Sequence, residues 1–126
     1  MESGVKQLLS CGFELVGEWS TSESLVHRAP SIKRKPGIYA FAIQENVCYI
    51  GMAKTLHRRL RAYGNRCFRP SPNSAALRIC HEKIIETVSA GDTVQVYAAV
   101  KDGIGANLYE IERDLIRQFA PPWNKT

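Results

Sequence analysis

One carboxylate lies where a packing helix would place an aliphatic residue. Between residues 108 and 119, apolar side chains recur at helical spacing and form a single arc: Leu108, Ile111, Leu115, Ile116 and Phe119. At about 100° per residue, Glu112 falls inside this arc, whereas Glu110 and Asp114 fall outside it. A buried carboxylate is unfavourable unless it is paired, hydrogen-bonded or bound to a cation. Glu112 is therefore a candidate ligand for a divalent metal ion, with a buried ion pair as the alternative.

Two tyrosines belong to short segments that mirror one another, Gly37-Ile38-Tyr39 and Tyr49-Ile50-Gly51. Both segments are rich in residues that favour strands, and the polar stretch 44–46 between them is typical of a hairpin loop. With that three-residue loop, odd-numbered residues pair with odd-numbered residues, and the two phenols become diagonal neighbours about 7 to 8 Å apart. Each tyrosine also lies near a glycine that permits close approach of the backbone. The simpler alternative is that both rings only fill a half-buried sheet.

An arginine and a third tyrosine follow the second segment. Leu56, Leu60 and Tyr63 recur at i, i+4 and i+7, which predicts a helix over residues 54 to 63. Arg59 lies at the edge of this apolar face, four residues before Tyr63, so both side chains can face one site. A guanidinium, a metal-binding carboxylate and several phenols are suited to phosphodiester chemistry, since they can neutralise phosphate charge, hold Mg²⁺ or Mn²⁺ and accept a proton from water.

Positive charge is concentrated around the same region. The chain has a net charge of +5 and a pI near 9.2, and residues 54 to 69 contain no acid. A solvated helix face usually mixes the two signs, so we expect these cations to contact nucleic-acid phosphates. The candidate contacts are Lys33, Arg34, Lys35, Lys54, Arg58, Arg61, Arg66 and Arg69.

The rest of the chain supplies the elements that position these residues. We predict strands over 37–43, 47–51 and 94–100, the last with alternating buried positions, and helices over 5–12, 54–63, 74–89 and 106–119. Residues 13 to 19 are a short strand or an apolar arm. These elements indicate a small α/β fold, with residues 1–35 as an N-terminal extension and 36–126 as the main domain.

Composition narrows the class of protein. A chain of 126 residues with 44% hydrophobic content fits one domain, and its apolar runs are far below the ~20 residues that a membrane-spanning helix needs. The N-terminus has no signal-peptide pattern, so we expect a soluble cytoplasmic protein. The four cysteines form no C-x-x-C pair and are expected to be reduced. A zinc site from Cys67, Cys80 and His81 is a weak alternative.

The ordered set of residues resembles the GIY-YIG nuclease superfamily. The two tripeptides match its signature segments, and Arg59 and Tyr63 stand at the positions of the arginine and the tyrosine or histidine of its first helix. The segment from Glu112 to Asn124 resembles the metal-glutamate segment of the excision-repair incision subunit. Met52 departs from the pattern, because relatives often have a lysine or another polar residue there, a role that Lys54 could take.

The resemblance implies a three-stranded antiparallel sheet flanked by helices and a metal-dependent endonuclease acting on DNA. It implies that Glu112 binds one Mg²⁺ or Mn²⁺ ion, that Tyr39 or Tyr49 activates water, and that Arg59 stabilises phosphoryl charge. It further implies supporting roles for Tyr63 and Asn124 and backbone roles for Gly37 and Gly51. RNA as substrate and a homodimer stay open, and we expect no membrane partner. The rival interpretations are a nucleic-acid-binding module that does not cleave and, less consistent with the charge, a protein-interaction domain.

Overall fold

An antiparallel sheet with helices on both faces makes up the part of the chain that the structure describes. The structure is a computed structural model, which describes residues 4–19, 26–27, 35–56, 75–101 and 107–124. The helices are α1 (Gly4–Ser10), α2 (Ala75–Ser89) and α3 (Leu108–Phe119). The strands are β1 (Glu14–Trp19), β2 (Val26–His27), β3 (Gly37–Ile43), β4 (Asn46–Ala53) and β5 (Val94–Val100).

The sheet is larger than predicted. Its strand order is β2-β1-β5-β3-β4, and each neighbouring pair is antiparallel. The α/β class with an antiparallel sheet and flanking helices is confirmed, whereas the prediction of three strands is wrong, because β1 pairs with β5 and the two-residue β2 pairs with β1. The register of β1 shifts between Leu15 and Gly17, so that Val16 and Gly17 are both buried. This bulge interrupts the alternation by which a half-buried strand is recognised in a sequence.

The hairpin of β3 and β4 has the predicted register where it carries the tyrosines. Tyr39 is opposite Gly51, and Phe41 is opposite Tyr49. The predicted three-residue loop is wrong: Ile43 pairs with Asn46, which leaves a two-residue turn in which Gln44 and Glu45 have φ values of 49° and 73°. Such turns match the twist of the flanking strands. A register shift between Phe41 and Ala42 leaves Cys48 as the extra residue of β4, which preserves the predicted pairing beyond it.

Each face of the sheet has its own core. On one face, the aromatic residues of β3 and β4 pack with Trp19 of β1 and with Ile84 and Val88 of α2. On the other face, Ile38, Ala40, Ala42 and Ile50 pack with α1 and with the apolar arc of α3. The tyrosines and the acid-bearing helix α3 therefore belong to opposite faces, and only the sheet edge can bring their polar groups together.

The other predicted elements agree with the structure within a few residues. The predicted helices 5–12, 74–89 and 106–119 correspond to α1, α2 and α3, and the predicted third strand is β5. In β5, the predicted Val94, Val96 and Ala98 are buried, whereas Val100, also predicted to be buried, is only half-buried. Tyr97 and Ala99 are buried as well, because both faces of this strand are covered. The predicted helix over 54–63 lies mostly outside the described residues. No helix among the described residues has the length and apolarity to cross a membrane.

Candidate active site at the sheet edge

Three aromatic rings lie together on the α2 face of the hairpin. The ring centroids of Tyr39 and Tyr49 are 6.1 Å apart, and the Phe41 ring lies 5.5 Å from the first and 5.7 Å from the second. Tyr39 is almost fully buried, with 1% of its surface exposed, whereas Tyr49 is half-buried. The two phenols are thus diagonal neighbours on one face, as the hairpin register requires.

Gly51 provides the space into which the phenol of Tyr39 extends. A Cβ atom placed on Gly51 would lie 2.5 Å from both Cζ and Oη of Tyr39. Gly37 permits an equally close approach, since its Cβ would meet the carbonyl oxygen of Ala99 and lie 2.9 Å from Cδ1 of Leu56. Gly37 is therefore needed for the close approach of β3 to β5 and Leu56, and Gly51 is needed for the position of the Tyr39 hydroxyl.

Helix α3 is fixed at both of its ends. Asn107 is the N-cap, and its side-chain oxygen accepts a hydrogen bond from the Glu110 N–H at 3.2 Å. At the C-terminal end, Ala120 adopts the left-handed conformation with φ 46°, and its N–H donates to the Ile116 carbonyl at 2.8 Å. The helix therefore has a fixed length and rotation, which determine where Glu112 points.

Glu112 reaches from α3 to the outer edge of the sheet. Its side chain is half-buried, and its carboxylate accepts a hydrogen bond from the backbone N–H of Met52 in β4. Burial raises the pKa of Glu112, and the hydrogen bond from Met52 partly opposes that rise. Glu110 and Asp114 are exposed, as predicted. The carboxylate is thus partly shielded from solvent and contacts the edge strand β4.

The residues after α3 run along the same edge. The side chain of Asn124 accepts a hydrogen bond from the Ile50 N–H at 2.9 Å and donates one to the Ile50 carbonyl at 2.9 Å. The N–H of Trp123 donates to the carbonyl of Cys48, the bulge residue, at 2.8 Å. Tyr49 is therefore flanked on both sides by backbone groups that the C-terminal residues hold in place.

Tyr39 and Glu112 approach the same peptide unit of β4 from opposite sides. The Tyr39 hydroxyl lies over Gly51, and the Glu112 carboxylate binds the N–H of the next residue, Met52. With standard bond lengths, these contacts place the hydroxyl oxygen within about 10 Å of the carboxylate. One phosphate group with its hydration shell can span a gap of this size.

The remaining predicted site residues divide into two groups. Lys35 and Lys54 are exposed near the ends of β3 and β4. The others lie outside the described residues: Lys33, Arg34, Arg58, Arg59, Arg61, Tyr63, Arg66 and Arg69. Cys67 and the side chains of Cys80 and His81 are likewise outside this part, and the described residues contain no cluster of three or more metal-ligating side chains.

The donor set at Glu112 fits a divalent cation that keeps most of its water ligands. One carboxylate with spare lone pairs is the usual protein contribution to a Mg²⁺ site, which retains several waters. Burial raises the pKa of Glu112, and a cation bound to its carboxylate would favour the charged form.

Two contacts at the edge were not anticipated from the sequence. The side chain of Met52 departs from the expected pattern, yet its backbone N–H is the group that binds Glu112. The N–H of Trp123 holds the bulge at Cys48. Both contacts use backbone atoms, which leave no side-chain signal in a sequence. The Pro121-Pro122 pair that ends the helix was the available hint that the following residues take a defined path.

Comparisons with known proteins identify the fold of the chain. No protein-family model and no curated protein matches the chain. A variant of bacteriophage T4 EndoII superposes with a TM-score of 0.76 at 23% identity, over 97% of this chain and 99% of that one. The chain has the GIY-YIG nuclease fold.

Two further solved structures with this fold are similar to the chain. One is a point variant of the GIY-YIG N-terminal endonuclease domain of UvrC from Thermotoga maritima, bound to its catalytic divalent cation. It has a TM-score of 0.51 and 22% identity over 75% of this chain and 88% of that one. The other is the restriction endonuclease Hpy188I in complex with product DNA, with a TM-score of 0.54 and 16% identity over 93% of this chain and 78% of that one.

Proposed function

We propose that the chain is a divalent-metal-dependent endonuclease that hydrolyses phosphodiester bonds in DNA. The observation that carries the proposal is the approach of the Tyr39 phenol and the Glu112 carboxylate to one peptide unit of β4. A sheet edge that only needed to be covered would not require a half-buried acid on one side and a phenol on the other. The solved structures that share the fold are named as endonucleases, which supports the same chemistry.

The phenols act on the attacking water. Tyr39 or Tyr49 orients this water or accepts its proton, and nearby positive charge makes the phenolate form accessible. Arg59 stabilises the charge that grows on the phosphoryl oxygens, and Tyr63 supports the water or the phosphate. Asn124 acts through the backbone, because its two bonds to Ile50 keep β4 and the end of α3 together.

Glu112 would hold one Mg²⁺ or Mn²⁺ ion, mostly coordinated by water. When bound, this ion supplies Lewis-acid stabilisation of the scissile phosphate. A carboxylate that accepts one hydrogen bond from the Met52 backbone still has oxygen lone pairs for a metal ligand.

DNA is the expected partner because the net charge is positive and the sequence concentrates cations between residues 54 and 69. The net charge is +5, and Lys35 and Lys54 are exposed at the ends of the hairpin strands. The arginines of residues 54 to 69 would contact further phosphates. Binding should weaken by about 0.9 log units per log unit of salt for each duplex phosphate neutralised.

Nicking of supercoiled plasmid, measured with magnesium and with EDTA, tests the proposal. The wild type should nick only with the metal, and Glu112→Gln should lose about a hundredfold or more in rate. The matched control is Asp114→Asn, which removes an exposed carboxylate two residues along the same helix and should retain activity. Undiminished magnesium-dependent nicking by Glu112→Gln would refute the assignment.

A second pair of variants tests the phenol. Tyr39→Phe removes only the hydroxyl next to Gly51, and Tyr97→Phe removes the hydroxyl of another buried sheet tyrosine, on the opposite face. Cleavage should fall in the first variant and not in the second. Tight DNA binding by a wild type that does not nick under any metal condition would instead identify a binding module.

A further inference from the structure

The solvent side of α3 carries an aromatic and basic stripe that the proposed chemistry does not use. Tyr109 is 61% exposed, and Leu9 is the only other large hydrophobic residue that is exposed among the described residues. The guanidinium carbon of Arg113 lies 6.0 Å from the centroid of the Tyr109 ring. Arg117, which is also exposed, follows one turn later. We call Tyr109, Arg113 and Arg117 the Tyr109 stripe.

The two acids Glu110 and Asp114 lie on the side of this stripe that faces away from Glu112. At about 100° per residue, the Tyr109 stripe covers a sector of about 80°, and Glu110 and Asp114 lie beyond its Arg117 side. Glu112 lies about 60° beyond its Tyr109 side, inside the apolar arc, with Ile116 between the two. Around the helix, the ring therefore lies nearer to Glu112 than the two arginines do, and the two acids lie farthest from it.

The order of side chains around α3 places an exposed aromatic ring and two arginines nearer to Glu112 than either acid. The Tyr109 ring is accessible to a partner, and the Arg113 guanidinium lies beside it. The Arg113–Asp114 ion pair has its closest atoms at 4.0 Å and both side chains exposed, so it contributes little and leaves the guanidinium available. A flat ring with a guanidinium beside it matches the face of a nucleobase and the adjoining phosphate.

We propose that the Tyr109 stripe is a contact surface for the nucleic-acid strand next to the candidate active site, where Tyr109 stacks on an unstacked base and Arg113 and Arg117 contact phosphates. The inference rests on the proposed function, because it takes Glu112 as the point at which the strand is held. Bases within a regular duplex hide their faces from a side chain. The preferred substrate class is therefore DNA with a single-stranded or bulged nucleotide at this position.

Binding measured in EDTA tests the inference without any requirement for cleavage. Fluorescence anisotropy would use three labelled probes: a single strand, a duplex with one bulged nucleotide and the perfect duplex. Tyr109→Ala should weaken binding to the first two about tenfold or more and should change binding to the third little. Tyr109→Phe keeps the ring and should bind like the wild type. Gln118→Ala, an exposed neutral change on the far side of α3, is the control.

The proposed phosphate contacts of Arg113 and Arg117 are tested by the salt dependence of DNA affinity. Arg113→Gln should reduce the slope of log affinity against log salt by about 0.7 to 0.9, the value for one phosphate contact. Lys6→Gln, which removes an exposed cation from α1, should leave the slope unchanged. Equal affinities of wild type and Tyr109→Ala for all three probes would overturn the inference. The inference would also be overturned if the only effect of Tyr109→Ala were a change of oligomeric state, measured by light scattering.

The two proposals fail separately. A wild type that nicks DNA while Tyr109→Ala binds normally would remove the inference and keep the nuclease. A wild type that binds bulged DNA through Tyr109 but never nicks would keep the contact surface and remove the enzyme.

Discussion

The phenol of Tyr39 lies directly over the backbone of Gly51, so closely that a Cβ atom on this glycine would come within 2.5 Å of the ring carbon Cζ and of the hydroxyl oxygen. Since Gly51 pairs with Tyr39 across the hairpin, the two residues form one packing unit. The glycine sets the height of the hydroxyl above the strand.

Gly51→Ala should destabilise the protein by about 1 to 3 kcal/mol, because the ring must shift within a packed core. Urea unfolding measures the loss. The same substitution should cost much less in a Tyr39→Ala background, where the ring is gone, so the two changes should be strongly non-additive. Additive effects would show that the ring and the glycine do not interact.

Asn124→Ala should loosen the edge of the sheet. The substitution removes both bonds to Ile50, which are 2.9 Å each, and leaves a partly buried N–H and carbonyl without these partners, at a cost of about 1 to 3 kcal/mol. Hydrogen exchange of the Ile50 amide should accelerate. Asn46→Ala is the control, because the side chain of this exposed residue makes only a 3.5 Å contact with the Gln44 carbonyl. Unchanged protection of Ile50 in Asn124→Ala would contradict the observed edge contact.

Stability without metal should depend on Glu112 and pH. Burial raises the pKa of this carboxyl, so folding favours its protonated form. The resulting stabilisation is complete below the unfolded-state pKa and is lost as the pH rises through the raised value. Glu112→Gln keeps an oxygen that can accept the Met52 N–H but carries no charge.

In EDTA, the Tm of Glu112→Gln should therefore equal that of the wild type in acid and exceed it at neutral pH. Thermal unfolding across this range, with Asp114→Asn as the control, measures the difference. A wild type that is the more stable of the two at neutral pH in EDTA would show that the charged carboxylate is already compensated by the protein.

Cys48 should be unreactive in the folded protein. Burial raises the pKa of its thiol to about 12, and the thiol donates to the Phe41 carbonyl at 3.3 Å. Iodoacetamide at pH 8 should therefore modify Cys48 only after unfolding in urea, whereas the half-buried Cys11 should react in the native state. Peptide mass spectrometry distinguishes the two residues. Native labelling of Cys48 at the unfolded rate would place it on an open edge.

Local sequence patterns were sufficient to predict the register of the β3–β4 hairpin and the orientation of α3. The repeated tripeptides predict the register of Tyr39 and Tyr49, and the apolar arc of α3 predicts that Glu112 is turned inward. These predictions succeed because strand alternation and helical periodicity are local properties of the sequence. The turn at Gln44-Glu45 and the bulge at Cys48 compensate one another, so the error in the loop did not affect the tyrosines.

Contacts between distant backbone atoms could not be predicted in the same way. The bonds from Glu112 to Met52 and from Asn124 to Ile50 depend on how α3 approaches β4, which no local pattern encodes. The pairing of β1 with β5 was also missed, because the bulge at Val16 disrupts its alternation. The roles of Arg59 and Tyr63 stay predictions, since both lie outside the described residues.

The C-terminal residues that bond to the outer edge of β4 also affect self-association of the protein. The outward N–H and carbonyl groups of Ile50, the carbonyl of Cys48 and the N–H of Met52 are all occupied by side chains or backbone from the C-terminal part of the chain. An incoming strand from another molecule would need those same groups. Strand addition along this margin would have to displace these contacts, so the residues that assemble the candidate site also disfavour polymerisation there.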